Sequence, residues 1–271
     1  MKYIFIDIDG TLFSHRLKEV PESATKALAK LKENGHKVFI CTGRSLSSCR
    51  DFYGLDVDGF VFSAGAVVYV DKKRIYSHSF TAEQEQEVSN LVNKLNLGLM
   101  LEGDAGCYQN DTAKENNREF FEKENKVIDV EQAMNEYRVF PIEYRDERDP
   151  IYKICVYGKD QNTFDQFTKE LSDTYHTVFM NGEVDTLRIG VELTLVGINK
   201  STAAQLVCEH YGATMADSVA IGDSMNDFEV VRDANVGIAM GNAHPDLKAI
   251  ADYVTDDVAE DGLYNAFKHF G

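Results

Sequence analysis

The sequence predicts an α/β fold built on an open parallel sheet, with a separate module inserted into it. Three observations carry this expectation. Short apolar runs at 3–6, 37–41 and 59–62 alternate with segments of helical spacing, the pattern of parallel strands joined by right-handed crossovers. The same alternation returns from residue 199 onward, whereas between about 81 and 188 it gives way to charged helix-like runs. Neither flanking third supplies enough strands for a sheet of its own, so one interrupted sheet explains the pattern better than two sequential domains.

Tyr3-Ile4-Phe5-Ile6 is the first strand. Glu19-Val20-Pro21-Glu22 leads into a helix with Ala24, Ala27, Leu28 and Leu31 at helical spacing, proline in the first turn and Gly35 as the stop. A strand over 37–41, a short helix over 51–53 and a strand over 59–62 follow, then a hairpin of 67–70 and 74–78 across Asp71-Lys72-Lys73. Within the insertion, helices are expected over 83–95, 114–125 and 163–175 and a strand over 152–157. Phe120, Phe121, Phe164 and Phe167 are expected as that module's own core. The closing third reads as helix 199–211, strand 218–221, helix through 231, strand 236–240 and helix 244–251.

Composition narrows the class. A chain of 271 residues with 44% hydrophobic content is globular and long enough for two domains or one large one. It has no run of about 18 apolar residues, and it opens on an acid-bearing strand rather than a basic stretch followed by a long apolar one, so a cytoplasmic location is expected. Cys41, Cys49, Cys107, Cys155 and Cys208 are widely spaced without a CxxC pair, which fits reduced, buried thiols and neither zinc nor disulfides. A net charge of −17 and a pI near 4.8 argue against nucleic acid and anionic membranes as partners. The same charge repels a phosphorylated small molecule, so a site for one must bring its own positive groups or a metal.

The strand ends carry such groups. Asp7-Ile8-Asp9-Gly10-Thr11 places two carboxylates at the carboxyl end of the first strand, where an open α/β sheet binds its ligand. One acid could attack while the other moves a proton. Alone, the pentapeptide fits a strand entering an Asp-Gly turn as well. After the second strand, the Thr42 hydroxyl and the amides near Gly43 could hold phosphoryl oxygens, although Thr42 alone also fits a helix cap. Lys200 stands at a helix start, and Gly222-Asp223-Ser224-Met225-Asn226-Asp227 follows the fourth strand. Asp7, Asp9, Asp223 and Asp227 would converge on one edge, where two like charges about 4 Å apart cost on the order of 4 kcal/mol at a surface-like dielectric. A divalent cation offsets that, and an all-oxygen donor set suits Mg²⁺. Asp7, Asp223 and the backbone carbonyl of Asp9 are expected to bind it directly, with Asp227 acting through water.

Taken in order, Asp7-Ile8-Asp9-Gly10-Thr11, Thr42-Gly43-Arg44, Lys200 and Gly222-Asp223 with Asn226-Asp227 resemble the four motifs of the haloacid dehalogenase (HAD) superfamily. Ala239-Met240-Gly241-Asn242-Ala243 and Glu260-Asp261-Gly262 add a resemblance to its Cof-type sugar-phosphatase-like family. The resemblance implies a Rossmann-like core over 1–81 and 189–271 with an inserted α/β cap domain over 82–188. It implies a Mg²⁺-dependent phosphatase for small phosphorylated metabolites, sugar phosphates foremost. Asp7 would become an aspartyl phosphate, Asp9 would protonate the leaving alcohol and then activate water, and Thr42, Gly43, Lys200 and Asn226 would hold the phosphoryl group. The acid at position 9 matters, because family members that do not hydrolyse phosphate esters often lack one there. A phosphomutase and a non-hydrolytic metabolite sensor are the alternatives. A phosphorylated receiver switch would leave Asp9 and the insertion without a role. Two positions depart from the family, which usually shows Asn where this chain has Ala64 and where it has Val258. Arg44 is expected beside one of the acids, Asn242 as a loop-fixing residue, and His15 and His244 in surface or loop roles.

Overall fold

The computed structural model describes residues 1–124, 130–158, 160–180 and 189–270. Expected features that reach 125 or 181–188 lie in part outside the described residues, as do the side chains of Phe120 and Phe121. The chain runs through β1 (Tyr3–Ile6), β2 (Lys37–Cys41), β3 (Gly59–Phe62), β4 (Val67–Val70) and β5 (Lys73–Ser77). It continues through β6 (Gly98–Gly103), β7 (Cys107–Gln109), β8 (Val139–Pro141), β9 (Ile151–Gly158), β10 (Tyr175–Met180) and β11 (Ile189–Leu195). It ends with β12 (Ser218–Gly222), β13 (Val236–Ala239) and β14 (Tyr253–Val254). Two compact units result: Met1–Gly43 with Gly54–Ser77 and Ile198–Gly271, and Arg44–Tyr53 with His78–Gly197.

The first unit holds an eight-stranded sheet in the order β14-β13-β12-β1-β2-β3-β4-β5. Its strands from β14 to β3 are parallel, and β4 and β5 are antiparallel additions. Central parallel strands are covered on both faces and therefore read as unbroken apolar runs, and all four residues of β1 are buried. Helix Glu22–Glu33 buries Ala24, Ala27, Leu28 and Leu31, the stripe anticipated from their spacing. The β4–β5 turn places Asp71 and Lys72 at φ 47° and 64°, the left-handed pair that matches hairpin twist. Register decides where chemistry can gather. Ile6 stands level with Ile40 and Ile221, and Cys41 with Val61, so Asp7, Thr42 and Asp223 all leave the sheet at the same edge.

The second unit is a six-stranded sheet in the order β10-β11-β9-β6-β7-β8, antiparallel except for β7 beside β8. Helix Ala82–Leu95 is closed by a capping box between Thr81 and Gln84 and buries Val88, Leu91 and Val92. Helix Gln161–Glu170 is capped by Asp160 and buries Phe164 and Phe167, so these rings are that unit's core as expected. The helix expected over 163–175 is shorter, however. Leu171 turns extended (ψ 144°), and Tyr175 opens β10, its ring stacked 6.1 Å from Phe80. Residues 189–195, expected with the parallel sheet, form β11 and pair with β9 and β10 instead. All five cysteines are buried and stand outside any disulfide, and no helix among the described residues is long and apolar enough to cross a membrane.

Candidate active site

The site lies at the carboxyl edge of the parallel sheet and is held by three loops of the first unit. After β1, Gly10 has φ +82°, and a Cβ there would stand 2.7 Å from the Asp223 carboxyl carbon. Only glycine permits both that backbone and that approach. After β12, a 3₁₀ turn over Met225–Asp227 brings Asp227 back onto its own strand end, where Asp223 N–H and Ser224 N–H each donate to Asp227 Oδ2 at 3.1 Å. Gly222 makes room for this, since a Cβ there would lie 2.5 Å from Asp227 Oδ2. The third loop is the start of helix Lys200–His210. Asn199 Oδ1 accepts from Thr202 N–H at 2.9 Å, and the Thr202 hydroxyl accepts from Asn199 N–H at 3.1 Å, which fixes Lys200 as the first helical residue.

Lys200 is fully buried and donates to Asp7 Oδ1 at 2.7 Å and to Asp227 Oδ1 at 2.5 Å. Carboxylate oxygens of Asp7, Asp223 and Asp227 lie within 4.8 Å of one another. Both oxygens of Asp223 receive donors: Thr11 Oγ1 at 3.3 Å and Asn242 Nδ2 at 3.5 Å. Burial pushes the Asp7 carboxyl up to about 7, with Lys200 pulling it down and the charges of Asp227 and Asp9 adding to the rise. Burial, then Asp7 and Asp227, push Asp223 up to about 9. For Lys200 burial works in the lowering direction, yet Asp227 and Asp7 hold the ammonium well above the ordinary lysine range. One ammonium facing three carboxylates leaves two negative charges when all are ionised. A cluster of hard oxygen donors with that surplus fits a divalent cation such as Mg²⁺.

Asp9 is turned to His15, with Oδ1 2.9 Å from His15 Nε2. Thr42 is fully buried, its N–H donating to Val61 O at 2.8 Å and its carbonyl accepting from Ala64 N–H at 3.0 Å; Gly43 follows it at the same edge. Asn226 Oδ1 accepts from the Ser224 hydroxyl at 2.9 Å, so it braces the turn that carries Asp227. Arg44 belongs to the second unit, where its guanidinium lies 5.2 Å from the Phe52 ring centroid and 5.5 Å from that of Tyr137. Asn242 fixes a loop, as anticipated, by donating to Gly10 O at 2.8 Å and accepting from Val258 N–H at 3.0 Å. Position 258 thus contributes a backbone amide that valine and asparagine supply alike. Ala64 sits at φ 53° and ψ 32°, a left-handed conformation that asparagine adopts more readily than alanine. His244 caps helix Pro245–Ile250 by accepting from Asp246 N–H at 3.2 Å. The roles of Thr11 and His15 were not legible in advance, since each depends on which loop folds back onto which.

A family profile described as haloacid dehalogenase-like hydrolase matches residues 4–267. A Bacillus subtilis (strain 168) protein named 5-amino-6-(5-phospho-D-ribitylamino)uracil phosphatase YcsE is 29% identical over 272 residues, covering 100% of this chain and 96% of its own. Among solved structures, the HAD-superfamily phosphatase BT1666 of Bacteroides thetaiotaomicron superposes with a TM-score of 0.82 at 26% identity, over 100% of this chain and 95% of that one. The HAD subclass IIB sugar phosphatase BT4131 gives a TM-score of 0.79 at 26% identity, over 100% and 99%. The four strand-end motifs, the α/β fold and these matches together place the chain in the haloacid dehalogenase-like hydrolase family.

Proposed function

We propose that this HAD-type phosphatase, whose relatives act on small phosphorylated compounds, is Mg²⁺-dependent, works through an aspartyl phosphate on Asp7 and takes sugar phosphates as substrates. The observation that carries the proposal is the packing of Asp7, Asp223 and Asp227 oxygens within 4.8 Å around a buried lysine. Asp7, Asp223 and the Asp9 carbonyl would hold Mg²⁺, with Asp227 supporting. When bound, the ion neutralises charge on the phosphoryl oxygens. Asp7 Oδ attacks phosphorus and forms the acyl phosphate while the bond from phosphorus to the leaving oxygen breaks. Asp9 gives its proton to that oxygen, then takes one from water as the water attacks phosphorus and releases Asp7. Lys200 steadies Asp7 and the charge that gathers at the transferring group. Thr42, Gly43 and Asn226 are the proposed phosphate contacts. The second unit serves as the cap, read from the sequence as 82–188, and selects the substrate.

The sugar assignment draws on one relative named for a phosphoribityl compound and another named as a sugar phosphatase. The experiment is phosphate release from a panel of hexose phosphates, nucleotides and phosphorylated vitamins, with Mg²⁺ and with chelator. Sugar phosphates are expected to lead, chelator to abolish turnover and Asp7→Asn to be inactive. Isomerised product without free phosphate would instead mark a phosphomutase.

A further inference from the structure

We propose that His15 is a positioning residue for Asp9, holding the acid in the orientation from which it protonates the leaving group; this rests on the phosphatase reading above. The loop after β1 is built to return His15 to Asp9. Gly10 N–H donates to Phe13 O at 3.0 Å, Phe13 N–H to Ile8 O at 2.7 Å, and Ser14 N–H to Glu19 O at 3.0 Å, with bridges pairing Asp9 with Phe13 and Ser14 with Glu19. Ser14 is fully buried and its hydroxyl accepts from Leu17 N–H at 3.2 Å, which anchors the residue next to His15. The imidazole stands edge-on to Phe13, with centroids 5.2 Å apart at 80°. From there Nε2 reaches Asp9 Oδ1 at 2.9 Å.

The Asp9 carboxylate turns about two soft torsions. With His15 Nε2 on Oδ1 the carboxyl is held in one of their orientations, the one from which the acid delivers its proton. General acids act only within hydrogen-bond reach of the atom they protonate, so a lost orientation weakens proton donation while leaving phosphate binding and nucleophilic attack intact. Leaving groups differ in their need for that proton. p-Nitrophenolate departs as the anion, whereas the more basic phenolate, which lacks the nitro group, gains from protonation.

The test is kcat/KM for p-nitrophenyl phosphate and phenyl phosphate on the wild type and on His15→Ala, His15→Phe and His15→Gln. His15→Phe keeps an aromatic ring against Phe13 without a donor, and His15→Gln keeps a donor without the ring. For His15→Ala and His15→Phe, kcat/KM on phenyl phosphate is expected to fall about tenfold, a fraction of what general acid catalysis supplies, with p-nitrophenyl phosphate changed less than twofold. His15→Gln is expected to recover most of the loss. Equal losses on both esters, or no rescue by glutamine, would overturn the positioning role while leaving the phosphatase standing. A wild type that hydrolyses neither ester overturns the phosphatase reading, and the role of His15 with it.

Discussion

Replacing Lys200 by methionine isolates the electrostatic clamp at the centre of the site. The stem of the side chain is kept, so little cavity forms, but the ammonium that bonds Asp7 and Asp227 at 2.7 and 2.5 Å is lost. The side chain is fully buried and its two partners nearly so, which puts the change among buried pairs broken by removal of one member, a loss of about 3–5 kcal/mol. The effect must also depend on pH. A carboxyl whose folded-state pKa is raised contributes stability below its unfolded pKa, and that stability is lost as pH rises through the folded value. Asp7 already stands at about 7 with Lys200 pulling it down, so without the lysine its proton is held more tightly and the loss at higher pH grows. In urea unfolding with chelator, Lys200→Met is expected to be less stable than wild type by about 3–5 kcal/mol at pH 8, with the gap narrowing towards pH 5. A gap below about 1 kcal/mol at pH 8, the range of an exposed pair, or one that does not change with pH, would refute the clamp.

Three other outcomes follow from the same geometry. Because the Asp7 and Asp223 carboxyls stand at about 7 and about 9, Mg²⁺ binding should expel protons, about two at pH 6 and about one at pH 8. Titration calorimetry in buffers of different ionisation enthalpy checks this, and a constant count would contradict it. Gly10→Ala forces alanine into φ +82° and its Cβ against Asp223; a loss of about 1–2 kcal/mol from the backbone alone is expected, with weaker Mg²⁺ binding, read by thermal unfolding with and without the ion. Asn242→Ala removes the links to Gly10 O, Asp223 and Val258 N–H. Loss of this outer support is expected to weaken Mg²⁺ affinity about tenfold, measured by calorimetry, whereas an unchanged affinity would show that Asp223 needs no such support.

The parallel sheet was legible because its central strands are covered on both faces. The residues of β1, and those of β2 after Lys37, are all buried and so form runs that no polar residue interrupts. The second sheet was largely hidden. Its short antiparallel strands mix polar and apolar residues, as in Cys107–Gln109 and Val139–Pro141, and buried Lys153 pairs with buried Glu102 and part-buried Glu192 across β6, β9 and β11 where the sequence reads as surface charge. Helical spacing in 163–175 hid the break at Leu171, beyond which Tyr175 pairs with Leu195 in β10 and packs against Phe80. Asp7 and Asp223 could be found because each stands just past a buried strand, and strand ends are visible in sequence. The contact of Asp9 with His15, and that of Thr11 with Asp223, are made by loop closure and leave no periodic signal. At the two positions that depart from the family, Val258 contributes a backbone amide and Ala64 takes a left-handed turn.

The most direct measurement is to quench the enzyme in acid during turnover of p-nitrophenyl phosphate with Mg²⁺, reduce it with borohydride and map the peptides by mass spectrometry. An acyl phosphate is reduced to the alcohol, so Asp7 is expected to appear as homoserine in a fraction of the molecules, and only when substrate and metal are both present. Turnover with position 7 unmodified, or reduction at a different carboxylate, would contradict the assignment of Asp7 as the group that takes the phosphoryl.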